Sequence, residues 1–295
     1  MNALARAVLV SALALLSASA SSLSFAQTIP EHAEGLREAI VSIDLAEGRT
    51  QAGLLSLRSG VEQPTVLAVL LPGYPSVVRP EVEEGVMVRS RLTGNFLIRA
   101  RRFLADEQIA TLVVDCPSDS GSECSSRYQA SRQREEDVSR LITTVKARYP
   151  SLEAVWLIGT SMGTISSAFM PTYRPQAYAG AIHTAGITDP YARGSYSELA
   201  RFDYAKVGVP QFFVHHVNDP CALTPYWAAR QLSDRYSVPL VSVSGGSEFR
   251  GRPCDAFTEH GFRGMEKAVM QSVAGIVRTG RPASLEIKAE GAPAR

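Results

Sequence analysis

Gly159-Thr160-Ser161-Met162-Gly163 fits the pattern G-x-S-x-G. The spacing has a physical reason: where a strand turns abruptly into a helix, small flanking residues let a strained serine stand clear of the backbone. A serine hydroxyl is a weak nucleophile at its own pKa, so Ser161 needs a base held by an acid. With this kind of turn both partners follow the serine in the chain, acid first. His183, His215, His216 and His260 lie after Ser161. His215 and His216 fall inside the apolar run Phe212 to Val217, where a core or edge role is expected, and His183 sits in an earlier strand with no acid before it in a loop. His260, in the loop that ends before Gly261, is the expected base. Asp219, directly after the run ending at Val217, is the expected acid, placed to accept the Nδ1 proton of His260 and fix its tautomer. Asp189 and Asp255 are competing carboxylates that also suit turns. The chemistry of such a set is acyl transfer through a covalent serine intermediate.

That chemistry also needs N–H donors aimed at the developing oxyanion. Met162, the residue after the nucleophile, supplies one. The loop Leu71-Pro72-Gly73-Tyr74 supplies the other, assigned to the Tyr74 N–H, although a plain Pro-Gly turn is the alternative there. Cys221 lies two residues after Asp219 and Cys254 six before His260, so if acid and base touch, these sulfurs fall in adjacent loops. Cys221 with Cys254, and Cys116 with Cys124, is then one expected pairing among the three that four cysteines allow. The longer loop would contribute roughly 3 to 4 kcal/mol in the chain-entropy model. No C-x-x-C pair or His-rich cluster has zinc spacing, so neither a metal nor another cofactor is expected.

The elements that must position these residues alternate. Residues 38 to 58 read as strand pieces around Glu47-Gly48, and Thr65 to Leu71 is a strand buried on both faces. Pro80 and mixed charges leave 76 to 93 without a pattern. Residues 95 to 107 read as a helix with Phe96, Leu97, Ala100, Phe103 and Leu104 on one face, followed by a strand from Ile109 to Asp115. Further helices are expected at 130 to 148, 223 to 235 and 262 to 278, with strands at Ala154 to Ile158, Ala179 to Thr184, Gln211 to Val217 and Pro239 to Val243. Alternation of this kind builds an α/β domain, a mostly parallel sheet with helices on both faces. The stretch from about residue 282 reads as a loose tail.

The chain has 295 residues, 45% hydrophobic and 20% charged, enough to fill a large core. Lys plus Arg number 30 against 29 for Asp plus Glu, so there is no basic field to hold nucleic acid. Residues 1–26 read as a signal peptide: Arg6 in a short positive region, an apolar run from Ala7 to Ala18, and Ser24-Phe25-Ala26 before a cut at Gln27, with a cut after Ala20 as the alternative. The run is shorter than a membrane span needs. The expected product is residues 27–295, exported to the periplasm or beyond, with no later span and with cysteines suited to an oxidising compartment.

From about Thr65 to about Thr279 the chain resembles the α/β-hydrolases. Pro72-Gly73-Tyr74, the Ser161 motif and the cysteines near acid and base are similar to secreted dienelactone-hydrolase-like and cutinase-like bacterial serine esterases. The resemblance implies one α/β-hydrolase domain and cleavage of carboxylic esters by Ser161, His260 and Asp219. The short stretch from Thr188 to Val207 leaves little room for a cap, which favours small or extended ester substrates over large lipids. Thr160 and Ala185-Gly186 stand where polyester-degrading members usually carry aromatic residues. The alternatives are a peptidase or amidase using the same triad, or a binding protein that keeps the fold without turnover.

Overall fold

The computed structural model describes residues 29–189, 192, 194 and 196–289; the expected signal peptide lies outside the described residues. Strands β1 (Leu36–Asp44) and β2 (Thr50–Arg58) pair antiparallel across a turn at Ala46–Gly48. After β3 (Val66–Leu71), the patternless segment folds into a small hairpin of β4 (Glu81–Glu83) and β5 (Val86–Arg89). There follow α1 (Phe96–Arg99), β6 (Ile109–Val114), α2 (Ser126–Gln129), α3 (Arg132–Arg148) and β7 (Ala154–Thr160). Next come α4 (Thr164–Tyr173), β8 (Gly180–Thr184), α5 (Ser197–Ala200) and β9 (Gln211–His216). The order closes with α6 (Tyr226–Tyr236), β10 (Leu240–Ser244), α7 (Glu266–Thr279) and β11 (Glu286–Lys288).

Among the described residues nine strands form one sheet in the order β1-β2-β6-β3-β7-β8-β9-β10-β11. Within it β2 alone runs against the rest, so the sheet is mostly parallel, as expected. A parallel sheet needs both faces covered, and β3 shows how one run serves two cores. Leu67, Val69 and Leu71 pack with Val138, Leu141 and Val145 of α3, while Ala68 and Leu70 belong to the opposite core with Val269, Val273 and Ile276 of α7. Each such buried Val, Leu or Ile is worth about 1.5–3 kcal/mol against exposure. Helix α3 starts where the Ser131 side chain accepts the Arg134 N–H, and its last turn carries Lys146 and Arg148 toward the negative end of the helix dipole. Helix α7 stops at Gly280, whose φ of 70° reverses the chain.

Two expectations fail in instructive ways. The helix read over residues 95 to 107 is only α1 followed by a 3-10 turn at Arg101–Phe103. Arg101 explains the break: its side chain is fully buried, and Nη1 donates to the Ile98 carbonyl at 2.6 Å, capping a group that a longer helix would use itself. The stretch beyond Arg281, read as loose, includes β11, which pairs in parallel with β10 and packs Ile287 against the core. Three residues are too few to show a strand period. Between β8 and β9 the described residues contain α5 and a 3-10 turn at Tyr204–Lys206 and build no cap. No helix among the described residues is long and apolar enough to cross a membrane.

Arg101 also anchors the antiparallel edge. Its Nε and Nη2 donate to Glu38 Oε1 and Oε2, each at 2.8 Å, and Glu38 further accepts from Ser56 Oγ and the Met87 N–H. The pair thus ties β1, β2 and β5 to the turn after α1. Removing one partner from a buried ion pair strands the other charge, at a cost of about 3–5 kcal/mol. Arg101→Met is therefore expected to lower unfolding free energy in urea by about that amount, and Glu38→Leu with Arg101→Met to recover much of it; equal losses in the single and double variants would contradict this.

Candidate active site

The chain leaves β7 and turns at Ser161, which holds a φ of 50°. A left-handed conformation in a non-glycine residue costs on the order of 1–3 kcal/mol and persists only where its surroundings hold it. Here they do. A Cβ on Gly163 would overlap the carbonyl oxygens of Leu71 and Pro72, and one on Gly159 would meet Ser167 Oγ and the Gly163 carbonyl. Thr164 Oγ1 donates to the Ser161 carbonyl at 2.6 Å and accepts the Ile187 N–H, locking the start of α4 to the segment after β8.

The loop after β3 lies directly against this turn: a Cβ on Gly73 would sit 3.0 Å from Ser161 Cβ. Tyr74-Pro75 is a cis peptide, and Ser76, with a φ of 62°, closes the loop by donating its N–H to the Gly73 carbonyl at 2.8 Å. Among the described residues the Tyr74 N–H has no acceptor, and the Met162 N–H is one of the first-turn donors that a helix leaves open. Tyr74 and Met162 line one cavity of about 770 Å³ together with Ser161 and His260. The Tyr74 side chain is 60% exposed and stands at its mouth.

Asp219 follows β9. Its Oδ1 accepts the Cys221 N–H at 2.9 Å, and its Oδ2 accepts from Thr224 Oγ1 at 2.8 Å and from His260 Nδ1 at 3.0 Å. His215 Nε2 approaches the same oxygen at 3.4 Å while donating to the Thr224 carbonyl at 2.6 Å. Burial pushes the Asp219 carboxyl up, but the His215 N–H beside it and the hydrogen bond from His260 outweigh this and hold the group below the usual carboxylate range. His260 is nearly buried in a turn capped by Thr258, whose Oγ1 accepts the His260 N–H. Arg99 holds that turn from α1, donating to the carbonyls of Gly261 and Gly94, each at 2.6 Å. With Nδ1 taken by Asp219, Nε2 is the nitrogen left for the cavity. Ser161 Oγ and His260 share the cavity without a hydrogen bond between them.

The four cysteines pair as Cys221–Cys254, with Cα atoms 4.6 Å apart, and Cys116–Cys124, with Cα atoms 5.9 Å apart. The first joins the loop that carries Asp219 to the loop leading to His260. Of the competing carboxylates, Asp255 lies at the wall of the same cavity as Ser161 and His260, and Asp189 does not. Asp189 lines a separate cavity beside Trp227, and Asp255 accepts the Arg252 N–H in a turn. His183 is wholly buried with Nδ1 on Ser167 Oγ, its pKa pushed down to about 4 by desolvation. His216 donates from Nε2 to the Gly245 carbonyl. Sequence reasoning missed Thr224 and the contact of His215 with Asp219. Neither carried a signal: His215 lies in a strand and Asp219 in the turn after it, where a four-residue step brings no regular contact, and a lone threonine five residues after Asp219 forms no pattern.

No family model matches the sequence, and no curated protein matches it. Solved structures do. An α/β serine hydrolase without a lid, from Xanthomonas campestris, aligns at 16% identity over 83% of this chain and 93% of its own, with a TM-score of 0.54. A candidate α/β hydrolase of unknown function from Agrobacterium tumefaciens aligns at 14% identity over 82% and 94%, with a TM-score of 0.51.

The depressed Asp219 carboxyl sets a pH dependence of stability. An unfolded aspartate titrates near pH 4, so below that pH the unfolded chain binds the proton first and the ionised group's contribution is progressively lost, while above it the contribution is complete. Asp219→Asn is expected to be less stable than the parent at pH 7, with the gap narrowing as pH falls below about 4. Urea unfolding at a series of pH values checks this; a gap that stays constant down to pH 3 contradicts it.

Proposed function

Given that the chain has the α/β-hydrolase fold, we propose that it is a serine hydrolase that cleaves small or extended carboxylic esters through an acyl-enzyme. The observation that carries this reading is the hydrogen bond from His260 Nδ1 to a buried Asp219, in a cavity that also receives Ser161 at a strained strand-to-helix turn. The lidless serine hydrolase among the structural neighbours is consistent with it. The reading includes export to an oxidising compartment, which the two cysteine pairs favour.

In this reading His260 Nε2 takes the proton of Ser161 Oγ as the oxygen attacks the ester carbonyl. The carbonyl π bond opens onto its oxygen, and the N–H groups of Tyr74 and Met162 hold the resulting oxyanion. Collapse of the tetrahedral species breaks the bond to the alcohol oxygen, which leaves with the proton from His260. Water, deprotonated by His260, then attacks the acyl carbonyl; the second tetrahedral species breaks its bond to Ser161 Oγ, which takes the proton back from His260, and the carboxylic acid departs. Asp219 stays ionised throughout, holding the imidazole in the tautomer with the proton on Nδ1 and stabilising the imidazolium that forms.

The purified mature chain is expected to hydrolyse short-chain p-nitrophenyl esters and to be labelled by a fluorophosphonate at Ser161. Ser161→Ala should lose at least about a thousandfold in kcat while unfolding at the parent's urea midpoint. Parent-like turnover in that variant would remove Ser161 from the mechanism, and failure of the parent both to label and to turn over would overturn the reading.

A further inference from the structure

We infer that Gln129 is the positioning residue of the oxyanion hole, because its buried side-chain amide joins the loop that carries Tyr74 to the helix that begins beside Met162. This rests on the serine-hydrolase reading above. Gln129 ends α2 and is 1% exposed. Its Nε2 donates to Ser76 Oγ at 3.2 Å and to the Cys124 carbonyl at 3.4 Å, and its Oε1 accepts from Ser166 Oγ of α4 at 3.3 Å. The orientation of the amide follows from its partners. Ser76 spends its own proton on the carbonyls of Pro72 and Gly73, at 2.9 and 3.1 Å, so its oxygen must accept from Gln129, and the Cys124 carbonyl also requires a donor. The NH₂ end therefore faces the loop and the oxygen faces α4.

The consequence is a spacing. The Tyr74 N–H comes from the loop whose carbonyls Ser76 gathers, and the Met162 N–H comes from the turn that opens into the helix bearing Ser166. The donors act only if both lie about 2.7–3.1 Å from one oxyanion, and among the described residues no hydrogen bond joins the loop directly to α4. Behind the backbone contacts at Gly73 and Gly163, Gln129 ties the two together: its amide holds the loop through Ser76, and Ser166 Oγ of α4 donates to the amide oxygen and to the Gln129 backbone carbonyl, at 3.3 and 3.2 Å. Its back is held in turn by Cys124, which donates its N–H to the Pro75 carbonyl at 2.9 Å and is fixed by its disulfide to Cys116. Ser76, Gln129 and Ser166 are all buried, so water offers no substitute for a lost partner.

The test is steady-state kinetics on a short-chain p-nitrophenyl ester, together with the inhibition constant of an aryl trifluoromethyl ketone, whose serine adduct carries an oxyanion. Gln129→Met keeps the length and loses both polar ends; Ser76→Ala removes one hydroxyl and serves if the first variant folds poorly. Expected are a kcat lowered by about 10- to 100-fold in Gln129→Met with KM within about twofold, and ketone affinity weakened in proportion. Parent-like kcat in both variants, or a fall in kcat with ketone affinity unchanged, overturns the role of Gln129 alone. A parent with neither turnover nor fluorophosphonate labelling overturns the hydrolase reading, and this role with it.

Discussion

The cavity depends on how closely the start of α4 lies against the end of β3. A side chain at Gly163 would overlap the carbonyls of Leu71 and Pro72, so two adjacent parallel strands and the helix springing from one of them meet backbone to backbone. That approach puts Gly73 beside Ser161 and forces the left-handed turn at the serine. The strain is borne by position: β7 sits between β3 and β8, covered on both faces. A cost of on the order of 1–3 kcal/mol is small beside the apolar side chains buried around it.

The other half of the site is assembled by loops, and loops need ties. Asp219 Oδ2 collects Thr224, His260 and the approach of His215, while Oδ1 takes a backbone N–H. A carboxylate so supplied stays charged in spite of burial. The disulfide from Cys221 to Cys254 joins the Asp219 loop to the loop leading to His260, and Arg99 fastens the His260 turn to the segment before α1 through Gly261 and Gly94. No single strand end positions His260, so several long-range contacts do so together.

What was legible in the sequence follows from how local each signal is. Continuous apolar runs marked the central strands because both sheet faces are buried, and the motif around Ser161 marked its turn because close packing there excludes side chains. Acid, base and cysteine pairing then followed from chain order and from one assumed contact between two loops, and the structure brings those groups together. The failures were non-local. The short α1 is set by a buried arginine whose partner, Glu38, lies far back in the chain, and β11 exists only because β10 offers it an edge. Thr224 and Gln129 belong to side-chain networks whose members are distant in sequence or carry no pattern.

β11 has a second consequence, for what the molecule does in company. The last strand of an open sheet offers unpaired backbone groups to any neighbouring chain. Here that strand is three residues long, alternates exposed Glu286 and Lys288 about Ile287, and follows closely on Pro282. At the far side, the β4–β5 hairpin reaches the N-terminal part of β1, with the Glu38 N–H donating to the Gly85 carbonyl at 2.7 Å. Among the described residues, charge and brevity at one border and a hairpin at the other are features that discourage edge-to-edge pairing of a wide sheet, and the same short segments finish the fold.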